Sequence, residues 1–335
     1  MRYKKTVNVC LGIESTAHTF GVALVSNDGR ILCDYKSVYN PPLGKGIHPR
    51  EAAQHHSEHS ANTLKRCLES SGLSLNSINC IAFSSGPGLG PVLRTGASIA
   101  RALAIWLNKP LIPIHHAIGH IELACKLTGA KNPLIVLVSG GHTMIGAYAA
   151  RKCRVFGETE DITLGNLLDV FGREAGLPFP SGPYIEKLAK EGNDFIDLPY
   201  VVKGNDVSYS GLLTSTLAKF KEGFDLKHLC FSLQEVSFSM LTEATERALA
   251  HIERDEVLLT GGVAANARLS NMLRTMTEDH NAKFFVVPRE YCGDCGAQIA
   301  WTGILAYESG VMTDVNNSFV IPRWRIDDVE IPWRH

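Results

Sequence analysis

Leu134-Ile135-Val136-Leu137-Val138-Ser139-Gly140-Gly141-His142-Thr143-Met144-Ile145 is the stretch whose reading decides the fold. Five large apolar residues in succession fit a strand covered on both faces, the paired glycines permit a tight turn, and Thr143 opens a returning strand. The same plan stands near the start. Val7, Val9, Leu11 and Ile13 alternate with other residues and Val22-Ala23-Leu24-Val25 follows a turn, so residues 7–38 read as a hairpin or meander, with Asn27-Asp28-Gly29 as a further turn. His18-Thr19 in the first unit parallels His142-Thr143 in the second, a hint of internal duplication.

Between the units, Pro49 suits the first position of a helix running to about Ser71, with Gly72 as its stop. Ile78 to Phe83 reads as a buried strand that enters Ser84-Ser85-Gly86-Pro87-Gly88-Leu89-Gly90-Pro91, a loop followed by a helical pattern from Leu93 to Leu107. Downstream, helical spacing covers about 163–176, 183–191, 228–253 and 263–279, with strands near 256–260 and 283–287. Alternating elements of this kind predict an α/β architecture, with two closely packed lobes and a cleft between them.

The chain has 335 residues, 45% of them hydrophobic and 20% charged, enough to bury a sizeable core in about two lobes. No apolar run approaches the roughly 18 residues of a membrane span, and Met1 to Lys5 leads into a strand pattern rather than a signal core, so no membrane association and a cytoplasmic location are expected. The nine cysteines lie singly, apart from Cys292 and Cys295, so reduced thiols are the expectation; one C-x-x-C lacks the second pair of a structural zinc site. A net charge of −1 argues against a self-sufficient nucleic-acid clamp, and an RNA substrate would call for partner proteins.

His116-Ala117-Ile118-Gly119-His120 places two imidazoles four residues apart, on one helix face, where a divalent metal can bridge them. Asp294, in Asp294-Cys295-Gly296-Ala297, can supply a third, oxygen ligand. Zinc proteases carry Glu directly after the first His of such a pair, and here Ala117 follows, so peptide hydrolysis is not the first reading. His55 and His59, with His56 alongside, compete for the metal, but their segment reads as an amphipathic helix with a solvated face. His115 should point away from the shared ridge. Three glycine turns, Ser84–Pro91, Ser139–Gly141 and Gly261–Gly262 before Asn266, favour a nucleotide, although none matches the Walker pattern.

Taken with Gly12-Ile13-Glu14-Ser15-Thr16-Ala17-His18-Thr19 and the ending Asp327 to Trp333, these motifs in this order resemble the archaeal/eukaryotic catalytic subunit of the KEOPS complex. This is the universal tRNA threonylcarbamoyltransferase family, once labelled O-sialoglycoprotein endopeptidase. The resemblance implies a two-lobed actin, Hsp70 and sugar-kinase type (ASKHA) fold with a duplicated core and an interlobe nucleotide cleft. It places residues 1–114, joined by a C-terminal helix of about 298–325, in one lobe and residues 115–297 in the other. It implies transfer of threonylcarbamoyl from threonylcarbamoyl-adenylate to the exocyclic amine of adenosine 37, in tRNAs reading codons that begin with A, with release of AMP.

By the same resemblance His116, His120 and Asp294 hold a metal, commonly iron, with zinc or magnesium as alternatives. Asp169, Gly182, Glu186 and Asn266 match adenosine and ribose contacts, and Leu137, Val138, Ser139, Gly140 and Gly141 match the phosphate and substrate loop, which ATP or analogues can also occupy. Two departures stand out: Leu137 occupies a position where archaeal relatives often carry a ligating Tyr, and Cys295 replaces the usual Asn. Implied partners are tRNA, a kinase-like ATPase that some archaea fuse downstream, a small dimerising subunit and a regulatory subunit. No general base identifies itself. A small-molecule kinase on the same fold, a metalloprotease and a non-catalytic scaffold are the rival readings.

Overall fold

The computed structural model describes residues 8–334; the readings made at Met1 to Lys5 and at Val7 lie outside the described residues. The first half contains β1 (Val9–Ser15), β2 (Thr19–Ser26), β3 (Ile31–Val38), α1 (Pro49–Ser71), β4 (Cys80–Gly86), α2 (Gly90–Leu107) and β5 (Leu111–His115). After α3 (His116–Thr128) come β6 (Leu134–Val138), β7 (Thr143–Ala149), β8 (Lys152–Glu158), α4 (Leu164–Glu174), α5 (Gly182–Ala189), the short pair β9 (Val202–Lys203) and β10 (Asp206–Val207), and α6 (Ser210–Lys221). The chain closes with α7 (Leu226–Ile252), β11 (Glu256–Thr260), α8 (Ala267–Asp279), β12 (Lys283–Val286) and α9 (Gly296–Glu308).

Two five-stranded sheets share one plan, β3-β2-β1-β4-β5 and β8-β7-β6-β11-β12. In each, the first three strands form an antiparallel meander and the last two join in parallel. A parallel neighbour requires a crossover, which α2 supplies between β4 and β5 and α8 between β11 and β12. The duplication hinted at by the two His-Thr pairs is therefore real at the level of topology, and the molecule has the two-lobed actin/Hsp70/sugar-kinase-type architecture.

Strand alternation sorts the first sheet's side chains onto two layers. Leu11, Ile13, Val22, Ile81 and Phe83 pack with α1 and α2, whereas Cys10, Ala23, Ala82 and Ile112 pack with Ala297, Ile299, Ala300 and Ile304 of α9. A helix from the end of the chain thus completes the core of the N-terminal sheet. Among the described residues no helix is long and apolar enough to cross a membrane.

Several expectations need correction. The C-terminal helix ends at Glu308 instead of about 325, because Gly310 adopts φ +86° and Val311 N donates back to Ala306 O at 2.8 Å, closing the last turn. Beyond it the chain runs as a strap interrupted by 3-10 turns at Val315–Asn317 and Ile326–Asp328: Ile321 N donates to Ser85 O, Ile331 N donates to Arg151 O, and Arg334 makes a forked pair with the buried Glu122 of α3 at 2.9 and 2.6 Å. Helix α2 starts at Gly90, inside the stretch read as loop, with Pro91 in its first turn. Residues 262–265 form a 3-10 turn, so α8 starts only after Asn266. Cys33 and Cys67 form a disulfide between β3 and α1, their Cα atoms 5.5 Å apart, against the expectation of reduced thiols throughout; the packing of β3 on α1 brings together residues 34 apart in sequence. The other seven cysteines are free and buried.

Candidate metal centre and nucleotide cleft

Helix α3 begins where β5 ends, so His116 and His120 stand at a strand-to-helix junction, their rings edge to face with centroids 4.7 Å apart. His115 caps the helix: its Nδ1 accepts from Ile118 N at 3.4 Å and its Nε2 donates to Trp324 O at 3.2 Å, which turns it away from the pair. Asp294 arrives from the turn before α9 and sets Oδ1 3.2 Å from His120 Nε2 and 3.5 Å from His116 Nε2. One potential ligand atom from each of the three lies within 4.8 Å of the others.

Backbone-to-backbone packing fixes where Asp294 sits. A Cβ on Gly296 would fall 2.4 Å from Ala23 N, and one on Gly12 would fall 2.3 Å from Ala300 N, so only glycines let α9 lie this close to β1 and β2. Asp34 of β3 accepts from Gly296 N at 3.0 Å at that same helix start. Burial raises its carboxyl to about 6.

Glu14, completely buried on β1, lies behind His116, whose Nδ1 donates to Oε2 at 2.9 Å. Burial would lower the His116 imidazole, but the Glu14 and Asp294 carboxylates outweigh it and raise it to about 9. Burial lowers His120. Burial likewise opposes ionisation of Asp294, and the facing His116 and His120 prevail, holding it below the usual carboxylate range. His142 stacks against His116 with centroids 6.5 Å apart and, with Thr143, Thr163 and Trp324, lines a cavity of about 170 Å³. Burial lowers it to about 3.

Two imidazoles and one carboxylate converging at one point form a donor set suited to iron(II) or zinc. Among the described residues this is the cluster of three such ligands. The competing pair is engaged elsewhere: His55 and His59 stack at 4.2 Å, and His59 Nδ1 donates to His55 O at 2.8 Å. Its helix is amphipathic as expected, with His59 on the solvated face and His56 fully buried on the other. Cys292 donates to Val287 O, while Cys295 sinks into the α9 core, so the C-x-x-C sulfurs serve separate packing layers. Leu137 is fully buried in β6 and offers no ligand.

Several of the residues matched to a nucleotide by resemblance are linked in pairs across the second half of the chain. Asp169 Oδ1 accepts from Ser181 N at 2.7 Å, next to Gly182 at the start of α5, and burial raises the Asp169 carboxyl. Glu186 Oε1 accepts from Ala267 N at 3.2 Å, which joins the second half of α5 to the start of α8. Asn266 caps α8 by accepting from Arg268 N and Leu269 N. Val138 and Ser139 run into the exposed Gly140 and Gly141, and Gly261, at φ +97°, has room for no Cβ because Val138 O would lie 2.3 Å away.

Residues 31–301 match the family model of TsaD, tRNA N6-adenosine threonylcarbamoyltransferase. The chain belongs to this family. A tRNA N6-adenosine threonylcarbamoyltransferase of Caldivirga maquilingensis is 49% identical over 325 residues, covering 97% of this chain and 98% of that one. A probable bifunctional tRNA threonylcarbamoyladenosine biosynthesis protein of Methanocaldococcus jannaschii is 50% identical over 97% of this chain, which spans 60% of that longer protein. In fold, the chain resembles T. kodakarensis HypF (TM-score 0.64, 15% identity, 90% of this chain and 48% of HypF). It also resembles (R)-2-hydroxyglutaryl-CoA dehydratase component A of Acidaminococcus fermentans (TM-score 0.55, 12% identity, 88% and 97%).

In this threonylcarbamoyltransferase, sequence reasoning quoted Glu14, Thr16 and His142 without giving them a role in the site, and passed over Gln298. A signal for Glu14 was present: a carboxylate amid Val9, Cys10, Leu11 and Ile13 in a strand must find a buried partner. Gln298 carries a similar one, an amide set among Ala297, Ile299 and Ala300.

Proposed function

We propose that the transferase moves the threonylcarbamoyl group of threonylcarbamoyl-adenylate onto the exocyclic amine of adenosine 37, in tRNAs reading codons that begin with A, and releases AMP. The observation that carries this reading is the meeting of His116, His120 and Asp294 within 4.8 Å in a chain of this family. These three residues would hold a divalent metal, iron first, with zinc or magnesium as alternatives. Bound there, such an ion supplies Lewis acidity toward a carbonyl or phosphate oxygen.

The chain's own residues bind and orient. Asp169 and Glu186 offer acceptors for ribose and adenine donors, the α5 start at Gly182 and the α8 start at Asn266 flank them, and Leu137 to Gly141 present the phosphate and substrate loop. The site lies between a lobe of residues 1–114, joined by the C-terminal helix from about residue 298, and a lobe of residues 115–297. The target base sits in a single-stranded loop and needs no duplex opening.

The near-neutral charge supports a KEOPS-type assembly in which a kinase-like ATPase, a small dimerising subunit and a regulatory subunit contribute to the tRNA surface. The longer bifunctional relative favours a second activity working beside this one. Glu14 does not restore the protease reading, since it lies behind His116, fully buried.

The test is incorporation of labelled threonine into tRNA, given bicarbonate, ATP, an adenylate-forming enzyme and the partner subunits. Replacing His116 and His120 together by Ala should abolish labelling while complex assembly persists. Full labelling by that variant, or phosphorylation of a sugar with no tRNA product, would overturn the reading.

A further inference from the structure

We propose that Glu14 is the positioning residue of the metal centre, fixing the His116 imidazole with its proton on Nδ1 so that Nε2 faces Asp294. The inference rests on the metal reading above and goes beyond its three ligands. Glu14 is completely buried in β1, where an unpartnered carboxylate would be costly. Its oxygens are nevertheless engaged: Thr16 Oγ1 donates to Oε1 at 2.6 Å, Gln298 Nε2 donates to Oε2 at 3.3 Å, and His116 Nδ1 donates to Oε2 at 2.9 Å. Three elements, β1, α3 and α9, therefore meet on one carboxylate.

A histidine that keeps one ring proton in a hydrogen bond to a carboxylate offers the other nitrogen to a metal in a fixed direction once the metal displaces that nitrogen's proton. His116 Nε2, 3.5 Å from Asp294 Oδ1, has that direction. His120 has no such brace, since its Nδ1 is buried without a hydrogen-bond partner among the described residues and its Nε2 meets only Asp294. The two imidazoles are thus unequal: a carboxylate braces His116 from behind, and among the described residues none braces His120.

The test compares wild type with Glu14→Gln, an isostere that keeps the packing but loses the charge, and with Thr16→Val, which removes one donor to Glu14. Metal-free protein is titrated with Co²⁺ against a chelator while the visible spectrum is recorded. We expect Glu14→Gln to keep one site per chain, bind about 10- to 100-fold more weakly and shift the Co²⁺ bands, with Thr16→Val in between. A merely structural Glu14 would lower the unfolding midpoint and leave affinity and spectrum alone. Affinity within twofold of wild type and an unchanged spectrum would overturn the proposal.

Asp294→Ala separates the two layers of argument. If that variant binds Co²⁺ as wild type does, the ligand assignment itself falls, and this inference with it. Nitrogen-15 spectra of Zn²⁺-loaded wild type give a readout independent of any variant's folding: a proton on His116 Nδ1 is expected, and a proton on Nε2 would refute the assignment.

Discussion

Asn266 Nδ2 donates to Gln234 Oε1 at 2.6 Å while the same side chain's Oδ1 caps α8, so one buried amide ties α7 to the start of α8. A residue matched by resemblance to nucleotide binding therefore also holds two helices together. Replacing it by Ala removes a cap worth about 1 kcal/mol. It also leaves the buried Gln234 oxygen unpartnered, at about 1–3 kcal/mol. We expect Asn266→Ala to lose roughly 2 kcal/mol in denaturant unfolding without nucleotide, and Asn266→Asp, which keeps the cap, to lose less; wild-type stability in the Ala variant would refute the capping role.

Gly296 tests how Asp294 is placed. Adding a methyl there forces α9 away from Ala23 N, 2.4 Å from the new carbon, and backbone neighbours cannot swing aside as a side chain can. Gly296→Ala should cost about 1–3 kcal/mol or more and weaken metal binding, although no ligand has been altered. Calorimetry combined with metal analysis checks both, and an unchanged metal content would separate the packing of α9 from the geometry of the site.

Acid should destabilise the fold through buried imidazoles. Burial lowers His56 to about 4 and His115 to about 3, whereas in the unfolded chain both protonate near 6.5. Below about pH 6.5 the unfolded state binds more protons, so stability falls as the pH drops, by at most about 1.4 kcal/mol per unit per histidine. Asp34 acts in the opposite sense: raised to about 6, it takes up a proton in the folded state first and adds stability as the pH falls below 6. Urea midpoints between pH 7 and 4 should decline, and Asp34→Asn should steepen the decline; a variant with a shallower slope than wild type would contradict this assignment.

The Cys33–Cys67 bond closes a separation of 34 residues, for which chain entropy predicts a stabilisation of about 2–4 kcal/mol. Dithiothreitol or Cys67→Ser should therefore lower the unfolding midpoint by several degrees, and mass spectrometry of the non-reduced peptide should join the two segments. Identical midpoints with and without reductant would mean that the tie contributes nothing.

Much of the fold was legible from local pattern. The meander described from Val9 to Val38, the helix from Pro49 with its stop at Gly72, and the strand-turn-strand at 134–145 depend on alternation, Pro and Gly, which act over a few residues. Helix α6 was missed, and the C-terminal helix was drawn too long, because Gly310 ends it with a single left-handed residue inside a stretch that still carries apolar side chains. The His116–His120 spacing was visible because one helix carries both residues. Cys33 with Cys67 and Glu14 with His116 were not, since each pair joins elements whose packing no short window contains.

By itself the sequence determined the α/β class, the helix that carries two imidazoles four residues apart, and the family, because each is written in residue order. Only the tertiary structure decided that Asp294 reaches those imidazoles, His120 from 174 positions away, and that a fully buried Glu14 backs His116. The reason is physical: glycines at 12 and 296 let α9 pack directly on β1 and β2, and that close contact, set by the fold as a whole, brings the distant carboxylate to the helix.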